Sequence, residues 1–527
     1  MLIIEDNDKM YVIQPSKLKK GLPKQTLSLC PQCKKIISAT IFEEDGKVIY
    51  KKTCEEHGEF KDIYYGDAEI YRKMEKWAVD GKGIDNPQKT DKDCPFGCGI
   101  CDEHYSRTSL ANVDLTNRCN LTCPICFANA NSAGYIYEPS FDQVVDILKL
   151  LRNEKPVPTP AVQFAGGEPT IYPKFFEIIK KANELGFAQV QVATNGIKLT
   201  NPEFCQKMLD AGTHTVYLQF DGFKKETYIK ARGVDLRNQK MKVIENCRNT
   251  KPIPLGIVLV PTVVRNINDD EVGKIVDFAL DNLDVVRAVN FQPVSFAGRI
   301  KETERLEGRY TVADLIKDLA KQTDYIEKDD FFSIPVGALF SEMVSQIFND
   351  PKISFTCHPH CGAATYIFKD EKTGDIIPIT RFLDVDGLLE EIMTKIESEK
   401  YSSLPKALAA IGAYRLIKKY YDKKSAPTGL NLLKMLKNMF MKGDKESLGK
   451  IQWRSLMIGI MHFQDDYNYD INRVKRCVIH YATPDGRIIP FCSYNGGPTH
   501  RTEVEKKFSM TLEEYKKKTE GDKDGSQ

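Results

Sequence analysis

The segment RCNLTCPICFANA, residues 118–130, contains three cysteines at the spacing C-x3-C-x2-C and follows an apolar, β-branched run. The cysteines are Cys119, Cys123 and Cys126. A structural zinc site takes four ligands, usually supplied by short cysteine pairs. Three thiolates can instead hold an iron–sulfur cube and leave one iron open for another ligand. The spacing therefore predicts an iron–sulfur cluster with one open iron at this loop.

Around this loop, short apolar runs alternate with longer amphipathic ones. The predicted strands are 110–115, 161–164, 188–193, 215–220, 257–260 and 286–292. One helix between them is predicted to start at the N-cap Ser140, because Val144, Ile147, Leu148 and Leu151 recur at helical spacing. Six strands alternating with helices predict an α/β fold with a parallel sheet, open or closed into a partial (βα)6 barrel. Functional residues are then expected at the carboxyl ends of the strands.

Length and composition indicate a soluble protein of several domains. The 527 residues exceed a single compact core, and we predict an N-terminal metal-binding region (1–105), the barrel (106–300) and a mostly helical C-terminal region (301–527). The net charge of +2 gives no case for nucleic-acid binding. No apolar run reaches the ~18 residues of a membrane span. The start MLIIEDNDKM carries acidic residues where a signal peptide would have basic residues and then a long apolar stretch. A cytoplasmic location is therefore expected.

Fifteen cysteines in a reducing compartment indicate metal binding rather than disulfides. Cys205 and Cys247 stand alone and are predicted to be small buried residues. The other cysteines outside the 118–130 loop fall into three groups: Cys30, Cys33 and Cys54; Cys94, Cys98 and Cys101; and Cys357, Cys361, Cys477 and Cys492.

The first group is joined by His57 in the pattern CPQC…CEEH. A hairpin with its turn at Asp45-Gly46 is predicted to connect the two halves. Four soft ligands of this kind suit one zinc or one iron ion. The alternative for His57 is an exposed turn residue, with a cysteine from elsewhere closing the site.

The other two groups are predicted to hold auxiliary [4Fe–4S] clusters. Cys94, Cys98 and Cys101 repeat the C-x3-C-x2-C spacing, with His104 as a candidate fourth ligand, although the spacing also admits zinc. In the C-terminal third, the four thiolates come from the pair in CHPHC and from two cysteines that bracket a predicted hairpin with Pro484-Asp485-Gly486 at its turn.

Further motifs follow the later strands: FAGGEPT (164–170), ATNGI (193–197) and QFDG (219–222). Together with the cysteine loop, they resemble the radical S-adenosylmethionine superfamily. In that family three cysteines hold a [4Fe–4S] cluster, and S-adenosylmethionine chelates the fourth iron. The resemblance implies that Cys119, Cys123 and Cys126 hold the reactive cluster. It further implies cofactor-binding roles for Gly166, Gly167 and Glu168 at the methionine ammonium, Thr194 and Asn195 at the ribose, and Asp221 over the same mouth. A dinucleotide fold and a P-loop are not indicated, because their glycine motifs do not follow the predicted strands.

The order of the metal sites resembles the subgroup of archaeal tetraether lipid synthases. This resemblance implies an enzyme that forms a C–C bond between terminal methyl carbons of isoprenoid chains in ether lipids. The expected partners are membrane ether lipids, the membrane surface and a low-potential electron donor (ferredoxin or flavodoxin), with no nucleic acid.

The segment 406–442 bears on the membrane independently. It carries nine Lys or Arg against the single acid Asp422, and one predicted helical face is apolar: Leu432, Met435, Leu436, Met439 and Phe440. A basic amphipathic segment suits anionic headgroups, and peripheral membrane association is expected. The alternative is a pair of ordinary helices packed on the barrel.

Three other functions compete with lipid coupling. The first is a radical methyltransferase acting on a pterin or lipid-like acceptor. The second is a peptide-modifying radical enzyme, which would need a peptide-docking domain. The third is a non-catalytic electron-transfer or zinc-scaffold protein, which does not explain the motifs at the strand ends.

Overall fold

The computed structural model describes residues 13–301, 305–398, 403–430, 432–434 and 454–517. Its strands are β1 (Ile13–Pro15), β2 (Lys24–Leu29), β3 (Ile36–Glu44), β4 (Lys47–Cys54), β5 (Gly58–Tyr65), β6 (Val79–Gly81), β7 (Leu110–Thr116), β8 (Ile136–Tyr137), β9 (Ala161–Gly166), β10 (Gln189–Thr194), β11 (Thr215–Gln219), β12 (Gly256–Val260), β13 (Thr262–Val263), β14 (Val286–Pro293), β15 (Phe332–Ser333), β16 (Gly362–Lys369), β17 (Ile376–Pro378), β18 (Ser455–Met461), β19 (Ile479–Ala482), β20 (Ile488–Pro490) and β21 (Ser509–Met510).

The helices are α1 (Ala68–Glu75), α2 (Phe141–Arg152), α3 (Phe175–Glu184), α4 (Pro202–Asp210), α5 (Lys225–Arg232), α6 (Arg237–Arg248), α7 (Val272–Asp281), α8 (Arg305–Gly308), α9 (Val312–Gln322), α10 (Val336–Phe348), α11 (Val385–Glu397), α12 (Lys406–Tyr420), α13 (Ile471–Val474), α14 (Phe491–Asn495) and α15 (His500–Lys507). The predicted start of α2 is confirmed. Ser140 caps it, and Gln143 reaches back to the Ser140 backbone in a capping box.

The six predicted barrel strands are confirmed as neighbours in one sheet, in the order β7-β9-β10-β11-β12-β14, and all are parallel. Strands from the C-terminal third lengthen this sheet at both ends. Strand β19 pairs in parallel with β7, and β18 pairs in parallel with β14. Beyond them the antiparallel strands β20 and β16 follow. The fold is therefore the expected α/β partial barrel.

The core lies between the sheet and the helices that cover its outer face. Alternate side chains of the strands point outward, among them Val162, Val192, Leu218, Leu259 and Val289, and each is fully buried. The opposite face of the sheet lines the barrel interior. All six carboxyl ends open at one mouth, since the strands are parallel.

The N-terminal region is a separate four-stranded antiparallel sheet, β2-β3-β4-β5. The predicted turn joins β3 to β4, with Asp45 and Gly46 at φ 51° and 71°. This small sheet packs against the segment before α13: the Tyr50 hydroxyl donates to the Tyr469 carbonyl at 2.7 Å, and the Tyr64 hydroxyl donates to Asp470 at 3.0 Å.

The C-terminal third contains strands β15–β21 as well as the predicted helices. The domain boundaries at 105 and 300 stay predictions. Helix α12, the start of the basic segment, buries Ala409, Ala413 and Leu416 in a cluster shared with α10 and α11. For α12, the structure thus agrees with the alternative of an ordinary packed helix rather than with a membrane-binding one. Residues 435–453, with the rest of the proposed lipid-binding face, lie outside the described residues. Among the described helices, none has the length and apolarity to cross a bilayer.

Candidate functional site

The cysteine loop begins immediately after β7, at the mouth of the barrel. Cys119, Cys123 and Cys126 are all partly exposed there. Asn131 fixes the first part of the loop: its Oδ1 accepts from the Cys119 amide at 2.9 Å, and its Nδ2 donates to the carbonyls of Cys119 and Leu121 at 2.9 and 3.0 Å. The side chain of Asn131 thus fixes the backbone of the loop that carries the three thiols.

Arg299, which follows β14, clamps the second part of the loop. Its amide and carbonyl exchange hydrogen bonds with those of Cys126 at 2.9 and 3.0 Å. Its guanidinium donates to the Cys123 carbonyl at 3.0 Å and to the Ser132 hydroxyl at 2.6 Å. The sequence analysis missed this residue. A lone arginine in the stretch FAGRI gives no local signal of a backbone contact with a distant loop.

Gly166 and Gly167 lie flat against the start of the cysteine loop. A Cβ at Gly166, where φ is +121°, would be 2.3 Å from the Thr116 carbonyl oxygen. A Cβ at Gly167 would be 2.2 Å from the Arg118 carbonyl oxygen. The Gly167 amide donates to Thr116 at 2.7 Å. Only glycine allows the end of β9 to approach the loop so closely.

Glu168 joins the ends of β9 and β10. Its carboxylate accepts from the Thr170 and Thr194 hydroxyls at 2.5 and 2.7 Å and from the Asn195 amide at 2.9 Å. Burial raises the pKa of Glu168, while these hydrogen bonds oppose the rise. Asn195 in turn donates from Nδ2 to the Asn120 side chain at 2.6 Å and lies 3.8 Å from the Cys119 sulfur. The cofactor residues expected at the second and third strands are therefore brought together beside the cluster loop.

Asp221 is fully buried, and both of its carboxylate oxygens accept hydrogen bonds from protein donors. Arg232 donates to both of them, at 2.8 and 2.7 Å. The same guanidinium donates to the Ile125 carbonyl in the cluster loop at 3.0 Å. The structure thus places Asp221 behind Arg232, so that it contacts the loop through that residue. Its expected role in binding the cofactor stays a prediction.

Lys240 of α6 is a second residue that the sequence analysis missed. Its ammonium donates to the Asn195 carbonyl at 2.6 Å and to the Gln219 side chain at 3.2 Å. Burial lowers the pKa of Lys240 to about 7, against the opposing charge of Asp221. Lys240 therefore links the carboxyl ends of β10 and β11 through these two hydrogen bonds.

The three thiols fit an iron–sulfur cluster. Burial raises the pKa of the Cys119 thiol to about 12, so the thiolate needs the positive charge of bound iron. The Leu121 amide donates to the Cys119 sulfur at 3.4 Å, as expected for a cluster ligand.

The structure brings the four predicted N-terminal ligands together, His57 included. The ligand atoms of Cys30, Cys33, Cys54 and His57 all lie within 4.8 Å of one another. The Nδ1 atom of His57 is 3.7 Å from the Cys30 sulfur and 3.5 Å from the Cys54 sulfur. Within the described ranges, no other His, Cys, Asp or Glu group is equally compact. Four such ligands at this separation suit a single tetrahedral ion.

The upstream cysteine repeat is brought together in a loop before β7. A hydrogen bond with the Cys98 side chain lowers the pKa of Cys94, and burial followed by the charge of Cys94 raises that of Cys101. His104 turns toward the other auxiliary group: its Nε2 lies 2.9 Å from the Cys477 carbonyl oxygen and 3.1 Å from Nε2 of His480. Its role as a fourth ligand stays a prediction.

The four C-terminal cysteines also converge. Burial, and then the charges of Cys361 and Cys477, raise the pKa of the Cys357 thiol. Burial, and then the charge of Cys492, raise the pKa of the Cys477 thiol. Arg473 of α13 points into this group, with Nε 3.4 Å from the Cys361 sulfur. The remaining pair, Cys205 and Cys247, is fully buried with the sulfurs 3.9 Å apart, as predicted for small core residues.

Comparisons with known proteins agree with this geometry. Residues 113–279 match the radical SAM superfamily, and residues 22–66 match the HMPTM N-terminal zinc ribbon domain. The chain is 51% identical over 500 residues, 94% of its length and 97% of the relative, to the 7,8-dihydro-6-hydroxymethylpterin dimethyltransferase of Methanocaldococcus jannaschii. It is 28% identical over 41% of its length to the GTP 3′,8-cyclase of Clostridium acetobutylicum, covering 65% of that protein.

Among solved structures, anSMEcpe with bound S-adenosylmethionine overlaps with 65% of this chain and 99% of its own, at 16% identity and a TM-score of 0.33. Streptococcus suis SuiB overlaps with 42% of this chain and 47% of its own, at 18% identity and a TM-score of 0.33.

These comparisons overturn the expected lipid coupling. A relative that shares half of its residues over almost the whole chain is named for methyl transfer to a pterin, the alternative reading of the sequence. The error has a physical reason: the lipid resemblance rested on the order of the metal-binding motifs, and such motifs contain no information about the substrate. Ether lipids as substrate fall with that function, and nothing in the described residues supports the peripheral membrane association.

Proposed function

The chain belongs to the radical S-adenosylmethionine family of the 7,8-dihydro-6-hydroxymethylpterin dimethyltransferase, and we propose that it methylates a reduced 6-hydroxymethylpterin. The observation that carries the proposal is the 51% identity to that enzyme over 94% of this chain. The match to the GTP cyclase spans only 41% of the chain and supports the barrel alone.

When bound, S-adenosylmethionine and the reduced [4Fe–4S] cluster would supply a 5′-deoxyadenosyl radical that removes hydrogen from a C–H bond. The methyl group would come from a second one-carbon donor, because the cofactor that yields the radical ends as methionine and 5′-deoxyadenosine. The protein's own contribution is to position these groups. Cys119, Cys123 and Cys126 would hold the cluster on the partly exposed side of the loop. The glycines at 166 and 167 leave room at its base for the methionine part of the cofactor.

Two buried networks hold this arrangement rigid. Glu168 accepts a hydrogen bond from the Asn195 amide, and Lys240 donates one to the Asn195 carbonyl. Together they fix the Asn195 backbone beside the cysteine loop. Arg232 and Arg299 hold the loop backbone from the other side. We expect these residues to determine the orientation of the cofactor rather than to exchange protons with it.

Further metal centres complete the proposal. The N-terminal group of four ligands would hold zinc, in accord with its zinc ribbon match. The groups at 94–101 and 357–492 would hold auxiliary [4Fe–4S] clusters, and a low-potential one-electron donor such as ferredoxin or flavodoxin would reduce the protein.

The test is anaerobic expression in a host that makes 6-hydroxymethyl-7,8-dihydropterin, followed by mass spectrometry of the host's pterins. We expect singly and doubly methylated pterins with the wild-type chain and none with Cys123→Ala, which lacks one cluster ligand. Unmethylated pterins alone, from a protein that still cleaves S-adenosylmethionine in vitro, would contradict the proposal.

A further inference from the structure

The inner face of the barrel sheet differs in chemistry from its outer face. Outward side chains such as Val190, Val192 and Val216 are aliphatic and fully buried. Inward positions on the same strands are polar and partly exposed, among them Gln191 and Tyr217. The interior of a closed (βα)8 barrel is usually filled by branched aliphatic side chains. An amide-lined interior indicates that this face binds a polar ligand.

One row of amides crosses three neighbouring strands. Gln163 of β9 donates from Nε2 to Asn112 of β7 at 2.6 Å. Gln191 of β10 donates in the same way to the Gln163 oxygen at 2.7 Å. The row holds each amide in one orientation, so the inner face presents fixed donors and acceptors.

A second polar group lies further along the sheet, on β11 and β14. Asn290 donates from Nδ2 to the Tyr217 hydroxyl, and Gln292 donates to it from Nε2 at 3.3 Å. The hydroxyl oxygen is thus occupied by two donors, and its own proton remains to be donated outward. Burial raises the pKa of Tyr217 to about 12, so that proton stays bound at neutral pH.

The Asn290 side-chain oxygen points to a ligand. Asn290 is 8% exposed, and its Oδ1 has no hydrogen-bond partner within the described part of the chain. Buried carbonyl oxygens are nearly always satisfied. The facing residue in β18 is Gly459, where an added Cβ would lie only 3.2 Å from Oδ1, so a side chain at that position would crowd this atom. The site therefore offers an unsatisfied acceptor next to an available hydroxyl donor.

Apolar groups flank this pair on the adjoining strands. The Met461 sulfur lies 2.9 Å from Asn290 Nδ2. Tyr366 lies opposite Met457 in the β16–β18 pair, and 39% of its surface is exposed. A flat ring could pack between such side chains while its edge meets the polar pair.

We propose that Tyr217, Asn290 and Gln292 recognise the aminopyrimidinone edge of the pterin. That edge carries a ring N–H or exocyclic amine to satisfy Asn290 Oδ1, next to a ring nitrogen or carbonyl oxygen that accepts from Tyr217. The inference rests on the proposed function, because it names the site at which the substrate of that reaction binds. It assigns substrate specificity to side chains whose hydrogen bonds, within the described residues, reach neither the cluster loop nor the side chains of the strand-end motifs.

The experiment measures binding of 6-hydroxymethyl-7,8-dihydropterin to the anaerobically reconstituted full-length protein by equilibrium dialysis. Tyr217→Phe removes the donor and keeps the ring. We expect binding about tenfold weaker, equivalent to about 1.4 kcal/mol. Gly459→Ala removes no polar group but places a methyl group 3.2 Å from Asn290 Oδ1, and it should weaken binding similarly. Tyr65→Phe is the control: it removes a buried hydroxyl without a partner among the described residues, in the N-terminal sheet.

A second ligand tests the edge itself. The lumazine analogue replaces the 2-amino group by an oxygen, so it reverses one donor and one acceptor. Wild-type protein should prefer the pterin, and Tyr217→Phe should reduce that preference. If both Tyr217→Phe and Gly459→Ala keep wild-type affinity and preference, with unchanged iron content and melting temperature, the inference is overturned while pterin methylation by the wild type still stands. If the wild type neither binds nor methylates the pterin, the proposed function falls, and the inference falls with it.

Discussion

Two loops of this molecule share the spacing C-x3-C-x2-C and differ in almost everything else. The downstream loop, Cys119 to Cys126, follows β7 directly, and the glycines that end β9 lie against its backbone. The upstream loop, Cys94 to Cys101, lies between β6 and β7, and its Cys98 is buried in a cluster with Tyr469 and Cys492.

The difference teaches what a cysteine spacing can and cannot indicate. The spacing fixes how three sulfurs can surround a cluster, and both loops satisfy it. The surroundings decide whether the open iron faces a cofactor. Only the downstream loop stands at the strand ends with Gly166, Gly167 and Asn195 around it. The upstream loop packs against the C-terminal segment and suits electron transfer or structural support.

The sharpest test of this comparison is a matched pair of substitutions. Cys123→Ala should abolish 5′-deoxyadenosine formation, because the cluster that activates the cofactor loses a ligand. Cys98→Ala should reduce that reaction by less than about tenfold, since the reactive loop is untouched. Each variant should lose about four iron atoms. The measurements are chromatography of deoxyadenosine and iron analysis of anaerobically purified protein. The reverse pattern, with cleavage lost only in Cys98→Ala, would assign the reactive cluster to the upstream loop.

A smaller change tests the glycine contact that sets the downstream loop apart. Gly166→Ala would place its Cβ 2.3 Å from the Thr116 carbonyl oxygen, a backbone atom that cannot turn away. We expect the loop to shift and deoxyadenosine formation to fall at least about a hundredfold, as for other displacements of about 1 Å at an active site.

The control for this change is Gly134→Ala in the same loop. Gly134 also has a positive φ, +75°, but an added Cβ meets nothing within 4 Å. It should cost about 1 kcal/mol of stability and leave the reaction nearly unchanged. Equal activity losses in the two variants would show that backbone strain, rather than the contact with Thr116, explains the effect.

The sequence predicts much of the fold because the relevant signals are local. The six barrel strands, the cap at Ser140 and the turn at Asp45-Gly46 each depend on a few neighbouring residues. The pairing of β18 with β14 could not be predicted, because more than a hundred residues separate the two strands and their apolar patterns fit many partners. The same applies to β19, which joins the opposite end of the sheet.

The site was predictable to the extent that its residues belong to motifs at the strand ends. Arg232 and Arg299 bind backbone carbonyls of the loop, and Lys240 binds the carbonyl of Asn195. Contacts to backbone carbonyls leave no pattern in a single sequence. The substrate was misjudged because these motifs carry no information about it. One signal was present: Gln163 and Gln191 each lie three residues before the motif residue that ends the strand, on the inward-facing side. Repeated glutamines inside a barrel strand indicate a polar ligand rather than an isoprenoid chain.

The last expected effect is on stability rather than on catalysis, and it concerns the junction between the segment of the upstream loop and the barrel. Glu154, after α2, is 2% exposed and accepts from the Thr108 hydroxyl at 2.7 Å, where the segment carrying the upstream cysteines enters β7. Burial raises its pKa to about 7, although the hydrogen bonds from Thr159 and Thr108 oppose the shift. The contact between the two regions should therefore depend on pH.

The sign follows from proton binding. An unfolded glutamate titrates near 4.5, so between about pH 4.5 and 7 the folded protein binds more protons than the unfolded chain. The free energy of unfolding should fall as pH rises through this window and level off above it. Glu154→Gln keeps an acceptor and stays neutral. It should stabilise the protein by about 3 kcal/mol at pH 8 and by less than about 1 kcal/mol at pH 5. Denaturant unfolding at the two pH values measures this. The control Glu397→Gln, at an exposed helix end, should change stability by less than about 0.5 kcal/mol at both. A Glu154→Gln effect of equal size at pH 5 and pH 8 would mean that Glu154 is not titrating at this junction.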